Sequence, residues 1–517
     1  MTQNRRIVLN IVATYGRSLY ALLIGLFCGR WVLMSLGEVD YGLMGVVGGM
    51  TAFVSFINGI MASGVGRFYA VSIGEARRDP EMGLERCRQW FTTSVVIHTV
   101  LPIVLIIIGY PIGDWAVRNF LVIPPERISA CVWVWRFSCI SCFIGMSSVP
   151  YYAMYGAKQE IAELSIYSFV TVSLNVVVIY HMVNHPADWL ARYSLWGCCL
   201  SVVPPLIITA RSFLKYKECR FRVAYMFDWG RIRRMFSYSG WFFIGNTACL
   251  LRGQGINLLV NKYFGPSVNA AQSIGHTMSA HCLTLSGSLI GAFSPVIQTA
   301  YGAGDLDKMR TYVYRVCRIA TIVILIFALP LALEADSIVV LWLKNPPKYV
   351  VGLCILTLVG AVVDKTSFGY AIAAHACEKI SLYQIVVGGV NLFALPIALL
   401  VASRGAGIYW IASVVLLMEC CVASARVVMA RRMLPLSIRY WMRSVVFPIA
   451  ILILISGGVG FLITHVFAAT FWRICLTTFV VESVFISLAW LFVLNSEEKG
   501  FLKDRIGKVF AKGIKHG

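Results

Sequence analysis

Residues 446–466 read VFPIAILILISGGVGFLITHV, 21 residues without an Asp, Glu, Lys or Arg among them. A helix needs about 20 predominantly apolar residues to cross the hydrocarbon core of a bilayer, and this run supplies them. It is one of many. Working outward from it gives 14 such spans, near 9–33, 41–63, 89–112, 130–153, 161–182, 189–211, 236–260, 269–292, 311–333, 350–374, 382–402, 406–426, 446–466 and 473–494. Composition agrees. Of 517 residues 59% are hydrophobic and only 13% charged, where a soluble domain carries roughly 25% charged. Soluble-enzyme, disordered and disulfide-framework classes are excluded. The chain reads as an all-α, polytopic membrane protein of about 14 transmembrane helices.

The net charge of +21 invites a nucleic-acid reading, and the placement of the charge removes it. With a cytoplasmic N-terminus, the inner segments hold 31 Lys and Arg, the outer loops 8 and the spans the remaining 6 of the 45. Such a bias fixes orientation: both termini are expected in the cytoplasm, and no nucleic acid is expected as partner. The most basic inner loop, from Arg211 to Arg234, reads as a topology determinant lying against anionic headgroups. Arg5 and Arg6 lead straight into the first span, so no cleaved signal peptide is expected. After Asn495, Phe501, Leu502, Ile506, Val509, Phe510 and Ile514 share one face opposite lysines, the pattern of an amphipathic helix on the inner leaflet. The 16 cysteines lie mostly inside apolar runs; Cys139 and Cys142 form a C-x-x-C without a second ligand pair and read as small packing residues.

An internal repeat organises the first 430 residues. Leu36-Gly37 matches Phe264-Gly265, Gly74 matches Gly302, and Leu121-Val-Ile-Pro-Pro matches Leu343-Lys-Asn-Pro-Pro. Tyr151, Ala157 and Ile161 match Tyr370, Ala376 and Ile380; Asn175 matches Asn391, and Ala210-Arg211 matches Ala425-Arg426. The offset drifts from 228 to 215, as small loop deletions produce. Six spans per repeat is an even number, so the halves are parallel and related by an axis along the membrane normal, an arrangement that serves alternating access. The expected organisation is an N-terminal six-helix repeat (5–213), a C-terminal six-helix repeat (231–430), two additional helices (440–495) and a cytoplasmic tail (496–517).

Charges within spans are costly and mark functional candidates. The basic ones are Arg17, Arg30, Arg136, Arg252, Arg318 and Lys365; the acidic ones are Asp364, Glu419 and Glu482. Arg30 and Arg318 lie near span ends, where they can snorkel. Asp364 and Lys365 point about 100° apart on a helix and need not neutralise each other. Span one presents Asn10, Thr14, Arg17 and Tyr20 as a stripe; span seven presents Asn246, Arg252, Gln254, Asn257 and Asn261 beside Gly253 and Gly255; span eight adds Gln272, His276 and Ser279. Arg17 and Arg252 occupy equivalent spans and have few acids to satisfy them. Six basic against three acidic groups predicts an electropositive cavity, and arginine's fork suits phosphate oxygens. The substrate class expected from the residues alone is an anion, phosphate-bearing and lipidic.

The stretches RWVLMSLGEVDYGLMGVVGG (Arg30–Gly49), GIMASGVGRFYAVSIGEARRD (Gly59–Asp79), GQGINLLVNKYFGPSVNAAQSIG (Gly253–Gly275), AYGAGDLDKM (Ala300–Met309) and KISLYQIVVGG (Lys379–Gly389) resemble bacterial polysaccharide and O-antigen flippases of the Wzx type. These belong to the multidrug/oligosaccharidyl-lipid/polysaccharide (MOP) exporter superfamily, which also holds the MATE drug exporters. The resemblance implies a MATE-like fold and translocation of an undecaprenyl-pyrophosphate-linked oligosaccharide across the bacterial inner membrane, for lipopolysaccharide or other surface polysaccharide. It implies a polysaccharide polymerase and other assembly proteins as partners. It carries the family's cationic cavity onto Arg17 and Arg252, and less directly onto Arg136 and Lys365; Gln254, Asn257 and His276 join them as substrate-binding candidates. Asp364 and Glu419 are the candidates for coupling to H⁺ or Na⁺, and no other cofactor is expected. A cation-coupled drug exporter is the alternative, disfavoured because membrane acids are outnumbered two to one. A polymerase or ligase is weaker still: no HExxH, nucleophile elbow or phosphate-cradling glycine loop occurs.

Overall fold

A computed structural model describes residues 3–121, 123–185, 187–343, 346–494 and 499–500. Of the expected amphipathic tail, everything but 499–500 lies outside the described residues. Among the described residues seventeen α-helices follow one another: α1 (Gln3–Gly49), α2 (Ala52–Glu75), α3 (Pro80–Trp115), α4 (Ile128–Ser147), α5 (Val149–Ala157), α6 (Ile161–Asn184), α7 (Leu190–Lys215), α8 (Trp229–Gly302), α9 (Leu306–Leu333), α10 (Ala335–Leu343), α11 (Val350–Thr366), α12 (Phe368–Ala376), α13 (Ser381–Ser403), α14 (Ile408–Met433), α15 (Ile438–Trp441), α16 (Phe447–Val466) and α17 (Phe471–Leu488). Nine helices of the described residues are long and apolar enough to cross a membrane, and α11 with α12, bent by 44°, makes a tenth. The four remaining sequence spans fall in α1, α2 and α8, so the architecture is consistent with 14 crossings. The protein is a multi-pass helical membrane protein.

Local chemistry sets the breaks. Asp79 and Asp228 start α3 and α8 by accepting from the backbone N–H of Met82 and Arg231, the usual way of satisfying a helix's orphan donors. Gly37 (φ 76°) breaks α1 between the first two crossings, and Gly265 (φ 83°) breaks α8 between the seventh and eighth. Left-handed backbone of this kind suits glycine alone. The two positions are equivalent in the internal repeat, 228 residues apart.

Packing divides the chain into two units. The first comprises Met1–Ile244, Gly291–Met309 and His375–Ser381. In it α1 packs along α6, α4 along α7, and α2 against α3 and α5. The last turns of α8 also belong here, crossing α2 in direct backbone contact. A β-carbon at Gly74 would overlap the carbonyl of Thr299, and one at Gly302 the carbonyl of Val71. These two glycines are again equivalent positions of the repeat. Arg67, buried on α2, donates from Nε and Nη2 to the carbonyl of Ala376 (3.1 and 2.9 Å), and Tyr238 donates to the carbonyl of His375 (2.8 Å). The segments 291–309 and 375–381 thus pack with the first repeat rather than with the second.

The second unit comprises Gly245–Ile290, Arg310–Ala374 and Leu382–Gly517. Its core joins Ile256, Leu259 and Val260 of α8 to Leu353 and Cys354 of α11, Ala398 of α13, and Ile408 and Ile411 of α14. The pairing of α11 with α14 repeats that of α4 with α7. The appended helix α17 is tied in by Arg473, whose Nη2 meets Glu334 Oε2 at 2.8 Å, while Thr477 donates to Glu334 Oε1 at 2.7 Å. Both oxygens of this buried carboxylate are engaged, so loss of Arg473 would leave its charge uncompensated.

Candidate functional site

The second unit encloses a cavity of about 310 Å³ between α8, α11, α13 and α14. Its polar lining includes Arg252, Gln272 and His276 of α8, Asp364 of α11, Asn391 of α13, and Glu419 and Arg426 of α14. The placement follows from helical periods. Arg252 and Ile256, four apart, share a face of α8, and Glu419 and Arg426, seven apart, share a face of α14. Apolar neighbours on those faces, Ile256, Leu353, Ile408 and Ile411, form the packed core beside the cavity.

The charges are arranged as two linked groups. Arg252 Nη2 meets Glu419 Oε1 at 2.6 Å, both side chains being mostly buried. Arg252 Nη1 is buried without any hydrogen-bond partner. Asp364 is held from both sides: Oδ1 by Arg426 Nη1 at 2.6 Å and Oδ2 by Lys365 Nζ at 2.8 Å. Lys365 also lies 4.4 Å from the centre of the Phe368 ring. Gln272 donates to Asn257 Oδ1 at 3.3 Å and lies 3.4 Å from His276 Nε2. Three cations against two carboxylates leave the group at +1.

Of the sequence candidates, Arg252, His276, Asp364 and Glu419 line this one cavity; Lys365 reaches it through Asp364, and Asn257 through Gln272. Gln254 is exposed on α8 and is not part of the lining. The fold supplies two pairings that the sequence left open. Asp364 and Lys365 do neutralise each other, because the long lysine stem spans the 100° between adjacent helical positions. Arg252 does have an acidic partner, Glu419, brought to it from α14 by the tertiary fold. Arg426 is missing from the sequence candidates since it stands at the end of span twelve; its seven-residue spacing from Glu419 is the signal that could have found it.

Arg17 and Arg136 belong to the first unit. Among the described residues Arg17 is half-buried with no ion-pair or hydrogen-bond partner. Its stripe companions are engaged structurally. Asn10 donates to the Gln159 carbonyl and accepts from the Ala162 N–H, both at 2.9 Å, and Thr14 donates to the carbonyl of Asn10. Tyr20 bonds Ser173 at 2.8 Å. Arg136 donates to the Tyr110 hydroxyl at 3.2 Å and covers the Trp133 ring. No group of three or more His, Cys, Asp or Glu among the described residues is arranged to hold a metal ion.

Comparison with known proteins agrees with this architecture. A family model described as "Polysaccharide biosynthesis protein" matches residues 36–345. No curated protein matches the sequence significantly. Among solved structures the chain is similar to a point mutant of a MATE protein (TM-score 0.69, 14% identity) and to an outward-facing multidrug resistance MATE family transporter of the MOP superfamily (0.66, 14%). It is also similar to a MOP superfamily transporter from Pyrococcus furiosus (0.66, 14%). Each likeness covers 84% of this chain and 96% of the other.

Proposed function

Because the chain belongs to the polysaccharide biosynthesis protein family and has the fold of MOP superfamily transporters, we propose that it is a lipid-linked oligosaccharide flippase. It carries an undecaprenyl-pyrophosphate-linked oligosaccharide from the cytoplasmic to the periplasmic leaflet of the bacterial inner membrane by alternating access. The product then passes to a polysaccharide polymerase and other assembly proteins. The observation that carries this reading is the half-used fork of Arg252: one Nη holds Glu419 and the other is buried without a partner. A buried guanidinium donor not used by Glu419 suits an anionic ligand, and a phosphate matches the fork bidentately.

The two carboxylates act in this mechanism as internal counter-ions. In the empty state Glu419 and Asp364 hold the cations that would otherwise stand uncompensated in a low dielectric. The pyrophosphate takes their place on Arg252 and Arg426, and they reclaim the arginines when it leaves. Charge then supplies direction. The empty group carries +1 and, with about two negative charges added by the diester, the loaded group carries about −1; a potential negative inside is worth about 2.3 kcal/mol per charge per 100 mV. It pushes the loaded form outward and draws the empty form back. Asp364 and Glu419, both ion-paired, serve here as counter-ions instead of primary H⁺ or Na⁺ ligands, and the same pairing disfavours the alternative of a cation-coupled drug exporter. The polyprenyl tail stays in lipid, since each CH₂ moved into water costs about 0.8 kcal/mol.

A deletion strain tests the assignment. It should accumulate lipid-linked oligosaccharide on the cytoplasmic leaflet, relieved by the wild-type gene and not by Arg252→Ala. Unchanged export in the deletion strain would refute it.

A further inference from the structure

The first unit holds a cavity of about 400 Å³ whose chemistry is the reverse of the charged one. Among the described residues no charged side chain lines it. Its walls carry Thr51, Ser55, Ser138 and Ser194, together with Asn58 and the rings of Phe137 and Tyr193. The protons of these four hydroxyls are already committed to the helices that bear them. Thr51 donates to the Gly48 carbonyl (2.9 Å), Ser55 to Thr51 (3.1 Å), Ser138 to Val134 (2.8 Å) and Ser194 to Leu190 (2.9 Å). A hydroxyl has one proton and two lone pairs, so what each of these has left to offer is a lone pair. Asn58 Oδ1, on the same wall, is buried with no hydrogen-bond partner and is also an acceptor.

A neutral pocket in which acceptors predominate favours a ligand with many donors. Phosphate, which only accepts, finds no cation among those groups, and its only side-chain donor there outside the committed hydroxyls is the neutral amide of Asn58. A hydrocarbon chain would leave Asn58 Oδ1 unsatisfied at a cost. A hard cation takes oxygen ligands but ordinarily wants carboxylates among them, and the volume is that of a small-molecule pocket. A neutral polyhydroxylated ligand fits: many hydroxyl donors, with apolar ring faces to lie on Phe137 and Tyr193. We propose that this cavity binds the neutral saccharide portion of the transported molecule, through Ser138, Ser194, Thr51, Ser55 and Asn58. The inference rests on the flippase reading, but is made from this unit alone.

The test uses the full-length protein in lipid nanodiscs and two probes. One is the repeat-unit saccharide released from the producing strain's lipid-linked pool by mild acid and dephosphorylated; the other is inorganic pyrophosphate. Ser138→Ala with Ser194→Ala removes two acceptors and almost no volume. Saccharide affinity should fall about tenfold, the loss expected of two neutral hydrogen bonds, while pyrophosphate affinity holds. Arg252→Ala should show the converse. If the double variant does not fold, Ser55→Ala with Asn58→Ala, on α2, makes the same test. No saccharide binding by the wild type, unchanged saccharide affinity in the variants, or loss of ²²Na⁺ binding in place of saccharide binding would overturn the proposal. Failure of the flippase reading looks different: no pyrophosphate binding and no accumulation of lipid-linked oligosaccharide in the deletion strain.

Discussion

Arg252 and Glu419 concentrate the residue-scale account in one 2.6 Å contact. If Arg252 grips the pyrophosphate, Arg252→Ala should reduce export at least a hundredfold in a complementation assay, with the protein still inserted. Arg252→Lys should recover only part, because a point charge replaces a fork. Glu419→Gln should act in the opposite sense on binding. A charge-assisted bond of about 1.5–3 kcal/mol no longer competes, so inorganic pyrophosphate should bind about ten- to a hundredfold more tightly, measured calorimetrically, while export slows because release does. Weaker binding in Glu419→Gln would remove the counter-ion mechanism. At this scale the sequence named most of the cavity and left it unpaired. That Arg252, Asp364 and Glu419 mattered was legible from the cost of charge inside a span. Which acid met which base was not, since Glu419 and Arg426 reach their partners across helices, and a one-dimensional pattern holds no such distances. Asn10, part of a polar stripe in span one, is in the fold a clamp on the backbone at Gln159 and Ala162.

Among the elements, the broken helices α1 and α8 carry the clearest trace of the repeat. Their left-handed glycines, Gly37 and Gly265, have open space where a β-carbon would stand, so a substitution there is opposed by backbone conformation alone. Gly→Ala at either should destabilise by about 1–3 kcal/mol, readable as a fall in thermal midpoint in detergent. Gly74 and Gly302 fail for another reason: a side chain at either meets backbone from the crossing helix. Gly302→Val should force α2 and the end of α8 apart and impair the protein more than Gly265→Ala does. Equal effects would show that the crossing is not tight in the membrane. Both glycine pairs were visible in the sequence as collinear matches at offset 228. Their physical roles were not, because a spacing shared between repeats does not distinguish a left-handed turn from a close approach.

Seen as a whole molecule, the protein is a charged cavity and an uncharged one carried by two packed units, within a chain whose basic residues fall 31 to 8 on one side of its spans. That asymmetry predicts periplasmic reporters at Gly37, Asn184 and Gly265 and cytoplasmic ones at Pro80, Arg222 and the C-terminus; an outside signal at Arg222 would overturn the span assignment. The charge balance predicts that clamping the membrane potential at zero with valinomycin and matched potassium slows export, while collapsing the pH gradient alone does not. The central claim is translocation itself, and reconstituted vesicles address it directly. Vesicles loaded with undecaprenyl-pyrophosphate-linked oligosaccharide, about half of it initially on the inner leaflet, are exposed to a membrane-impermeant periodate reagent, and the oxidised fraction is followed in time. The account predicts that wild-type protein brings nearly the whole pool within reach of the reagent, while vesicles bearing Arg252→Ala stop at the outer-leaflet half. Oxidation that stops at half with the wild type, or runs to completion equally with Arg252→Ala, would contradict it.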